Sequence, residues 1–361
     1  MLPLAAEPTT LQVVWFILIA VLWIGYLVLE GFDYGVAMLI PFLGKTEKEK
    51  RVMVHTVGPV WDGNEVWLLT AGGAMFAAFP GWYATLFSGL YLPLFLILVG
   101  LIIRGVAFEY RSKHPDTRWR RAFDWMASIG SFVVALVFGV AFGNFVYGLP
   151  VAPAAPGSQL FVLYPSPYLF QLFVTPLGLL CGIVLPVLFL FHGSVYLALK
   201  TKGEIHDRAE KFAQQIGWVA LAGGAVFLVL SNVVVHPTGL PGLLLALLAA
   251  VALGGALWMI RQGRDGAAFV GTTLTILFVA IGIFLTMWPD LGFKDAMGGA
   301  ASPLNRVTAA STDFTLTIML VAAGIFVPIV VAYQSWVYWV FRKRISVNNI
   351  PDDAAEPALA S

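Results

Sequence analysis

Long apolar runs broken by short polar stretches set the pattern of this chain. Nine runs stand out, at 11–43, 52–79, 82–108, 122–147, 168–199, 212–235, 240–261, 267–288 and 314–341. A bilayer's hydrocarbon core is about 30 Å thick, and a helix crosses it with about 20 mostly apolar residues. Each run is therefore read as a membrane-spanning helix. None shows the alternating segments of about ten residues that a membrane β-barrel requires. The first and fifth runs are the longest, so they are expected to tilt, bend or project from the bilayer. The expected fold is an all-α, polytopic membrane protein with nine transmembrane helices. One membrane domain covers 1–345, and a short tail covers 346–361.

The polar stretches add orientation. The connections after runs one, three, five and seven read GKTEKEKR, EYRSKHPDTRWRR, KTKGEIHDRAEK and RQGRDG, and FRKRIS follows run nine. With Arg104 they hold 19 of the 21 Lys and Arg, leaving Lys294 and Arg306 to the other side. Basic residues accumulate on the cytoplasmic side. The N-terminus is therefore expected outside and the C-terminus, with the tail, inside. The start MLPLAAEPTT lacks a basic n-region and a cleavage site, so run one is expected to be an uncleaved helix. Small-residue spacings at Gly31/Gly35, Gly139/Gly143 and Gly178/Gly182 can bring helices close together.

Composition agrees with the pattern. Of 361 residues, 59% are hydrophobic and only 11% are charged, against about 25% charged in a soluble domain. A water-soluble enzyme is excluded. The formal charge of +1 gives no footing for a nucleic-acid partner. The single Cys181 builds neither an internal bridge nor a cysteine-rich metal site. No P-loop, HExxH or CxxC is present, so no metal site is expected.

Candidate chemistry lies where insertion energy opposes it. Glu30, Asp33, Asp62 and Glu65 fall inside the first two runs. Four such acids cost about 10–14 kcal/mol on the mild insertion scale. Glu30 and Asp33 are three apart and share a helix face, as do Asp62 and Glu65. Counting from the connection at 45–51, both pairs sit about 15 Å from the inner boundary, so they can face each other at one depth. Glu109 and Asp124 lie at the inner ends of runs three and four. Carboxylates stepping inward from one surface suit a proton relay, and closely spaced carboxylates share protons readily because both cannot ionise cheaply. The bland alternative is a set of acids hydrogen-bonded to Asn64, the tryptophans or a helix break.

His55, His192 and His236 lie in or near runs two, five and six, and a b-type haem would want two facing imidazoles. Structural or surface roles are the preferred reading for them, and solvation for His114 and His206. Trp15, Trp82, Trp288, Trp336 and Trp339 fit an interfacial belt; Trp61 and Trp67, flanking the acids, fit it less well. Arg104 is expected to snorkel or to pair at an inner helix end, with Glu109 five residues on.

The same segments closely resemble subunit II of the cytochrome bd-type quinol oxidases. The resemblance rests on Gly25-Tyr26-Leu27-Val28-Leu29-Glu30-Gly31-Phe32-Asp33-Tyr34-Gly35 and on Gly58-Pro59-Val60-Trp61-Asp62-Gly63-Asn64-Glu65-Val66-Trp67. Ala71-Gly72-Gly73-Ala74, Arg104-Gly105-Val106 and Gly139-Val140-Ala141-Phe142-Gly143-Asn144 extend it, and Tyr333-Gln334-Ser335-Trp336 matches near the end. Tyr34 and Ala37 stand where phenylalanine and glycine are common in the family. The resemblance implies two four-helix bundles plus one peripheral helix, in a bacterial cytoplasmic membrane. It implies a pseudo-symmetric partner, subunit I, carrying haem b and haem d and oxidising membrane quinol while oxygen is reduced to water. The resemblance also leaves room for small accessory subunits and for a quinone or lipid bound to subunit II. By position, Asp62 and Glu109 would carry cytoplasmic protons, with Asp33, Glu30 and Glu65 in support and Trp61, Asn64 and Arg104 completing the motif. Two readings from other classes compete: a proton-coupled secondary transporter and a di-haem cytochrome b.

Overall fold

The computed structural model describes residues 7–156, 158, 160–165, 169–235, 238–299 and 301–350. Its helices run α1 (Thr10–Leu43), α2 (Glu47–Val57), α3 (Trp61–Ala78), α4 (Pro80–Gly89), α5 (Tyr91–Tyr110) and α6 (Thr117–Tyr147). They continue with α7 (Leu169–Val174), α8 (Pro176–Lys200), α9 (Glu204–Val229), α10 (Gly239–Arg261), α11 (Asp265–Met287) and α12 (Asp313–Val340). Eight of these, namely α1, α5, α6 and α8 to α12, are long and apolar enough to cross a membrane.

Local chemistry explains the boundaries. Thr9 caps α1 and Thr46 caps α2, each in a reciprocal box with Gln12 or Glu49, which satisfies amides that a helix start leaves open. Prolines decide where apolar runs break. Pro59 has no N–H to continue a helical ladder, so the expected run 52–79 divides into α2, a turn through Gly58 to Val60, and α3. Asp62, Asn64 and Glu65 then fall in the first turns of α3, and this polarity separates α3 from the eight apolar helices. The run 82–108 is preceded by Pro80 and divides at Leu90. The long fifth run breaks before Pro176, which opens α8. Its extra length is thus a break and not a tilt. The first run is continuous: 34 residues, about 51 Å at 1.5 Å per residue.

An all-α chain needs one correction. Three short strands, β1 (Leu149–Pro153), β2 (Phe161–Leu163) and β3 (Phe293–Asp295), form a sheet in the order β2-β1-β3. Val151 faces Leu163 in the antiparallel pair, and Leu149 faces Phe293 in the parallel pair. These connections bury Leu149, Val151, Leu163, Leu291 and Phe293. Strand pairing satisfies the backbone groups that come with that burial. Strands of three to five residues are too short to show an alternating pattern.

The interior centres on α1 and α8. Every residue from Glu30 to Ile40 is buried, as is every residue from Phe191 to Ala198. The two helices touch backbone to backbone where Gly35 meets Gly193. On α6, Gly139 and Gly143 lie against Cys181, Gly182 and Gly178 of α8 in the same way. All three small-residue spacings therefore mark close helix contacts. Helix α12 differs: only Leu316 is buried, and Ile325, Phe326, Ile329 and Tyr333 stand exposed.

The basic connections meet at one end of the bundle. Asp124 joins Arg111 at 2.5 Å and Lys50 at 2.9 Å. Glu47 also reaches Arg111, and Glu49 takes Arg208 at 2.6 Å. Asp265 receives Arg344 at 2.6 Å and His206 at 3.2 Å. The chain after α12 turns beneath the bundle, where Ile345 exchanges backbone hydrogen bonds with Lys200 and Lys202.

Glu49 gives this end a pH signature. Burial opposes its charge, but Arg208 and the Lys45 and Thr46 amides outweigh burial and hold its carboxyl below the usual carboxylate range. Such a group stabilises the fold fully above its unfolded pKa of about 4.3. That contribution is lost as pH falls through the lower folded value. Glu49→Gln is expected to lower the thermal midpoint at neutral pH by the equivalent of about 1–3 kcal/mol. It should also flatten the acid limb below about pH 4, as thermal melts across pH would show.

Candidate functional site

The polar cluster is assembled from three helices around one guanidinium. Glu30, Asp33 and Tyr34 project from one turn of α1. Arg104 enters from α5, and Asn64 and Glu65 from the start of α3. The break at Pro59 puts the N-terminus of α3 beside α1, at the end of a helix that favours negative charge. Arg104 is 0% exposed and pairs with Glu30, also 0% exposed, and with Glu65 at 2.7 Å. Its guanidinium lies 4.7 Å from the centre of the Tyr34 ring and within 6 Å of the Trp61 and Phe108 rings. Aromatic faces of this kind stabilise a desolvated cation. The Tyr34 hydroxyl is hydrogen-bonded to that of Tyr26, about two turns earlier on α1.

Asp33 sits beside this pair. Asn64 donates to Asp33 Oδ2 at 2.6 Å and to the Leu29 carbonyl at 3.3 Å. From α12, the Tyr338 hydroxyl donates to Asn64 Oδ1 at 2.7 Å. One turn away, Gln334 accepts from Trp67 at 2.8 Å and donates to the Gly63 carbonyl at 2.9 Å.

The structure thus gathers Glu30, Asp33, Trp61, Asn64, Glu65 and Arg104 in one place. It separates Asp62 from them: Glu65 turns inward to Arg104, while Asp62 is exposed. The expectation that the two acid pairs simply face each other is corrected accordingly. Three residues along a helix leave an angular offset, and Arg104 selects one acid of the α3 pair. Glu109 is exposed at the end of α5. Asp124 is engaged by Arg111 and Lys50, a structural ion pair apart from the cluster. The snorkelling expected of Arg104 is overturned, because its fully buried head has carboxylates to meet inside. Tyr338 and Gln334 were not legible as site residues; their partners lie 274 and 267 residues away.

A profile described as cytochrome bd terminal oxidase subunit II matches residues 11–341. The chain belongs to that family. It is 38% identical over 341 residues to the cytochrome bd ubiquinol oxidase subunit 2 of Bacillus subtilis, covering 93% of this chain and 97% of the relative. Identity to the cytochrome bd-I ubiquinol oxidase subunit 2 of Escherichia coli K12 is also 38%, over 372 residues and 94% and 96% of the two chains. In fold, it is similar to a chain of the bd oxidase from Geobacillus thermodenitrificans, with a TM-score of 0.72 and 16% identity, covering 93% of this chain and all of that one. As a member of the family, the chain is a component of a respiratory oxidoreductase with membrane-crossing helices. The secondary-transporter reading is not favoured.

An oxidase of this family is a haem enzyme, which makes the histidines worth testing as ligands. Both ring nitrogens of His192 are engaged, one with Thr272 Oγ1 at 2.7 Å and one with the Val28 carbonyl at 3.1 Å. The ring also stacks on Phe269 at 4.8 Å. A haem iron would have to displace one of these partners in a fully packed interior, so His192 does not fit an axial role. His55 is exposed on α2, and His236 lies outside the described residues. No step is assigned to a haem held by this chain.

Proposed function

We propose that this chain is the subunit of a cytochrome bd-type quinol oxidase that leads protons from the cytoplasmic side toward a haem-bearing subunit I. In this reading subunit I carries haem b and haem d, oxidises membrane quinol and reduces oxygen to water. Subunit II supports its assembly. The observation that carries the reading is the charge balance of the buried cluster. Two carboxylates, Glu30 and Glu65, face the single guanidinium of Arg104, with Asp33 alongside. One cation cannot neutralise all of them, and this excess of carboxylate suits an exchangeable proton held within the membrane. An ionisable set there costs several kcal/mol and is ordinarily retained for function.

The exposed acids suggest how the path continues. Asp62 and Glu109 lie among exposed apolar residues of α3 and α5, including Val66, Leu69, Ile102 and Val106. Lipid is a poor solvent for carboxylates, whereas a second membrane subunit seated on this face would provide hydrated or hydrogen-bonding surroundings. Asp62 and Glu109 would pass protons at that junction, with Glu65, Glu30 and Asp33 inside.

The same reading takes α3 as a ninth crossing, with α1, α3, α5 and α6 in one four-helix group, α8 to α11 in a second, and α12 peripheral. The membrane domain then spans 1–345, and the basic end with the tail 346–361 faces the cytoplasm of a bacterium, with the N-terminus outside. The apolar cleft lined by Leu27, Phe142, Cys181, Leu188, Phe227 and Ile283 would suit a lipid or quinone tail. Small accessory subunits would sit outside this chain.

In the assembled oxidase, Asp62→Asn and Glu109→Gln are each expected to slow quinol-driven oxygen consumption severalfold while haem content stays normal. Oxygen-electrode rates on membranes with matched haem absorbance measure this. Wild-type rates in both variants and in the double variant would refute the relay.

A further inference from the structure

Asn64 is held from both sides, and this limits where Asp33 can carry a proton. Its amide nitrogen has two hydrogens, one directed to Asp33 Oδ2 and one to the Leu29 carbonyl. Its amide oxygen accepts from the Tyr338 hydroxyl. Turning the amide over would bring two oxygens together at Leu29, since a carbonyl only accepts. It would also force the Tyr338 hydroxyl to give up a good acceptor. With the nitrogen fixed toward Asp33, Oδ2 is an acceptor in either charge state. An acidic proton on Asp33 therefore has only Oδ1 to occupy, and Oδ1 is buried with no hydrogen-bond partner among the described residues. The nearby Tyr196 hydroxyl does not compete for Oδ1, because it donates to the Thr56 carbonyl at 3.0 Å.

We propose that Tyr338 is a positioning residue of the proton path: by locking the Asn64 amide from α12, it confines proton exchange on Asp33 to Oδ1. The proposal rests on Asp33 belonging to the path. It gives the otherwise peripheral α12 a direct part in the chemistry, since Tyr338 reaches the cluster across an interface that buries little else of that helix. Without the hydroxyl, only the contacts on the nitrogen side hold the amide, and the donor that distinguishes the two oxygens of Asp33 is fixed less firmly. Glu30, Glu65 and Arg104 from the cluster, and Tyr196 from α8, remain around Asp33 throughout.

Gln334 provides the control. It ties the same stretch of α12 to α3 through Trp67 and Gly63, whereas the Asn64 side chain bonds Leu29, Asp33 and Tyr338. Three variants of the two-subunit oxidase, Asp33→Asn, Tyr338→Phe and Gln334→Leu, would be purified and normalised by haem content. Redox-induced infrared difference spectra identify the carboxyl band lost in Asp33→Asn, and turnover is measured alongside. Tyr338→Phe is expected to shift that band and to slow turnover severalfold, whereas Gln334→Leu leaves the band in place. An unmoved band in Tyr338→Phe, or an equal shift in Gln334→Leu, overturns the positioning role even if Asp33→Asn is slow. Wild-type turnover in Asp33→Asn instead removes Asp33 from the path, and the proposal falls with that reading.

Discussion

Replacing Arg104 with methionine is expected to leave membranes with little or no assembled protein. Methionine fills much of the same volume, so the loss is one of charge. Arg104 and Glu30 are both fully buried, and Glu65 is 23% exposed. Removing the shared cation strands these carboxylates in the interior. Breaking a buried pair in this way costs about 3–5 kcal/mol, set against a total stability of about 5–15 kcal/mol. The same argument predicts a rescue. Combining Arg104→Met with Glu30→Gln and Glu65→Gln removes the stranded charges and should restore accumulation, visible by immunoblot and haem absorbance. The rescued protein should still turn over slowly, because its exchangeable protons are gone. Normal accumulation of Arg104→Met alone would show that the cluster is not held by this ion pair.

Gly35→Val is expected to be as severe for a purely steric reason. A Cβ at residue 35 would stand 1.9 Å from the Phe189 carbonyl oxygen and 2.8 Å from the Gly193 Cα. Both are backbone atoms of α8, so neither can turn aside. Ordinary overpacking costs about 1–3 kcal/mol, but here two central helices would have to separate along a face buried on both. The chain should fail to accumulate. Gly254→Ala on α10, where an added Cβ meets nothing within 4 Å, should accumulate normally in the same blot. Equal levels of the two variants would mean that α1 and α8 do not meet at Gly35.

Different parts of this architecture were legible to different degrees. Apolar run length located the eight long crossing helices, because a helix in lipid must satisfy its own backbone and so writes its length into the sequence. The breaks before α3 and α8 were less visible, although Pro59 and Pro176 were there to be weighed: a proline inside an apolar run can kink a helix as well as end it. Pro41 and Pro186 do sit inside continuous helices. The small sheet escaped notice because its strands are only three to five residues long and β3 lies at least 130 residues beyond β1 and β2 in sequence.

The acids of the cluster were legible one by one, since a carboxylate in an apolar run is conspicuous wherever it falls. Their pairing was not. Arg104 looked like an end residue with Glu109 nearby, yet it pairs with Glu30 and Glu65, far away in sequence. Helical spacing predicted which acids share a face but could not say which acid a neighbouring helix would select. Tyr338 carried no signal beyond membership in an aromatic stretch of α12, and Gln334 none beyond its place in the Tyr333-Gln334-Ser335-Trp336 match.

In the proposed function, the cluster on α1, α3 and α5 moves protons for oxygen reduction. The most direct measurement is proton uptake by the reduced two-subunit oxidase in detergent when oxygen is admitted, followed by a pH indicator beside haem absorbance. In the wild type, uptake should keep pace with oxygen reduction. Glu65→Gln with Asp62→Asn should slow both uptake and the haem transitions that depend on it, at unchanged haem content and unchanged initial oxygen binding. Wild-type uptake kinetics in that double variant would contradict the account.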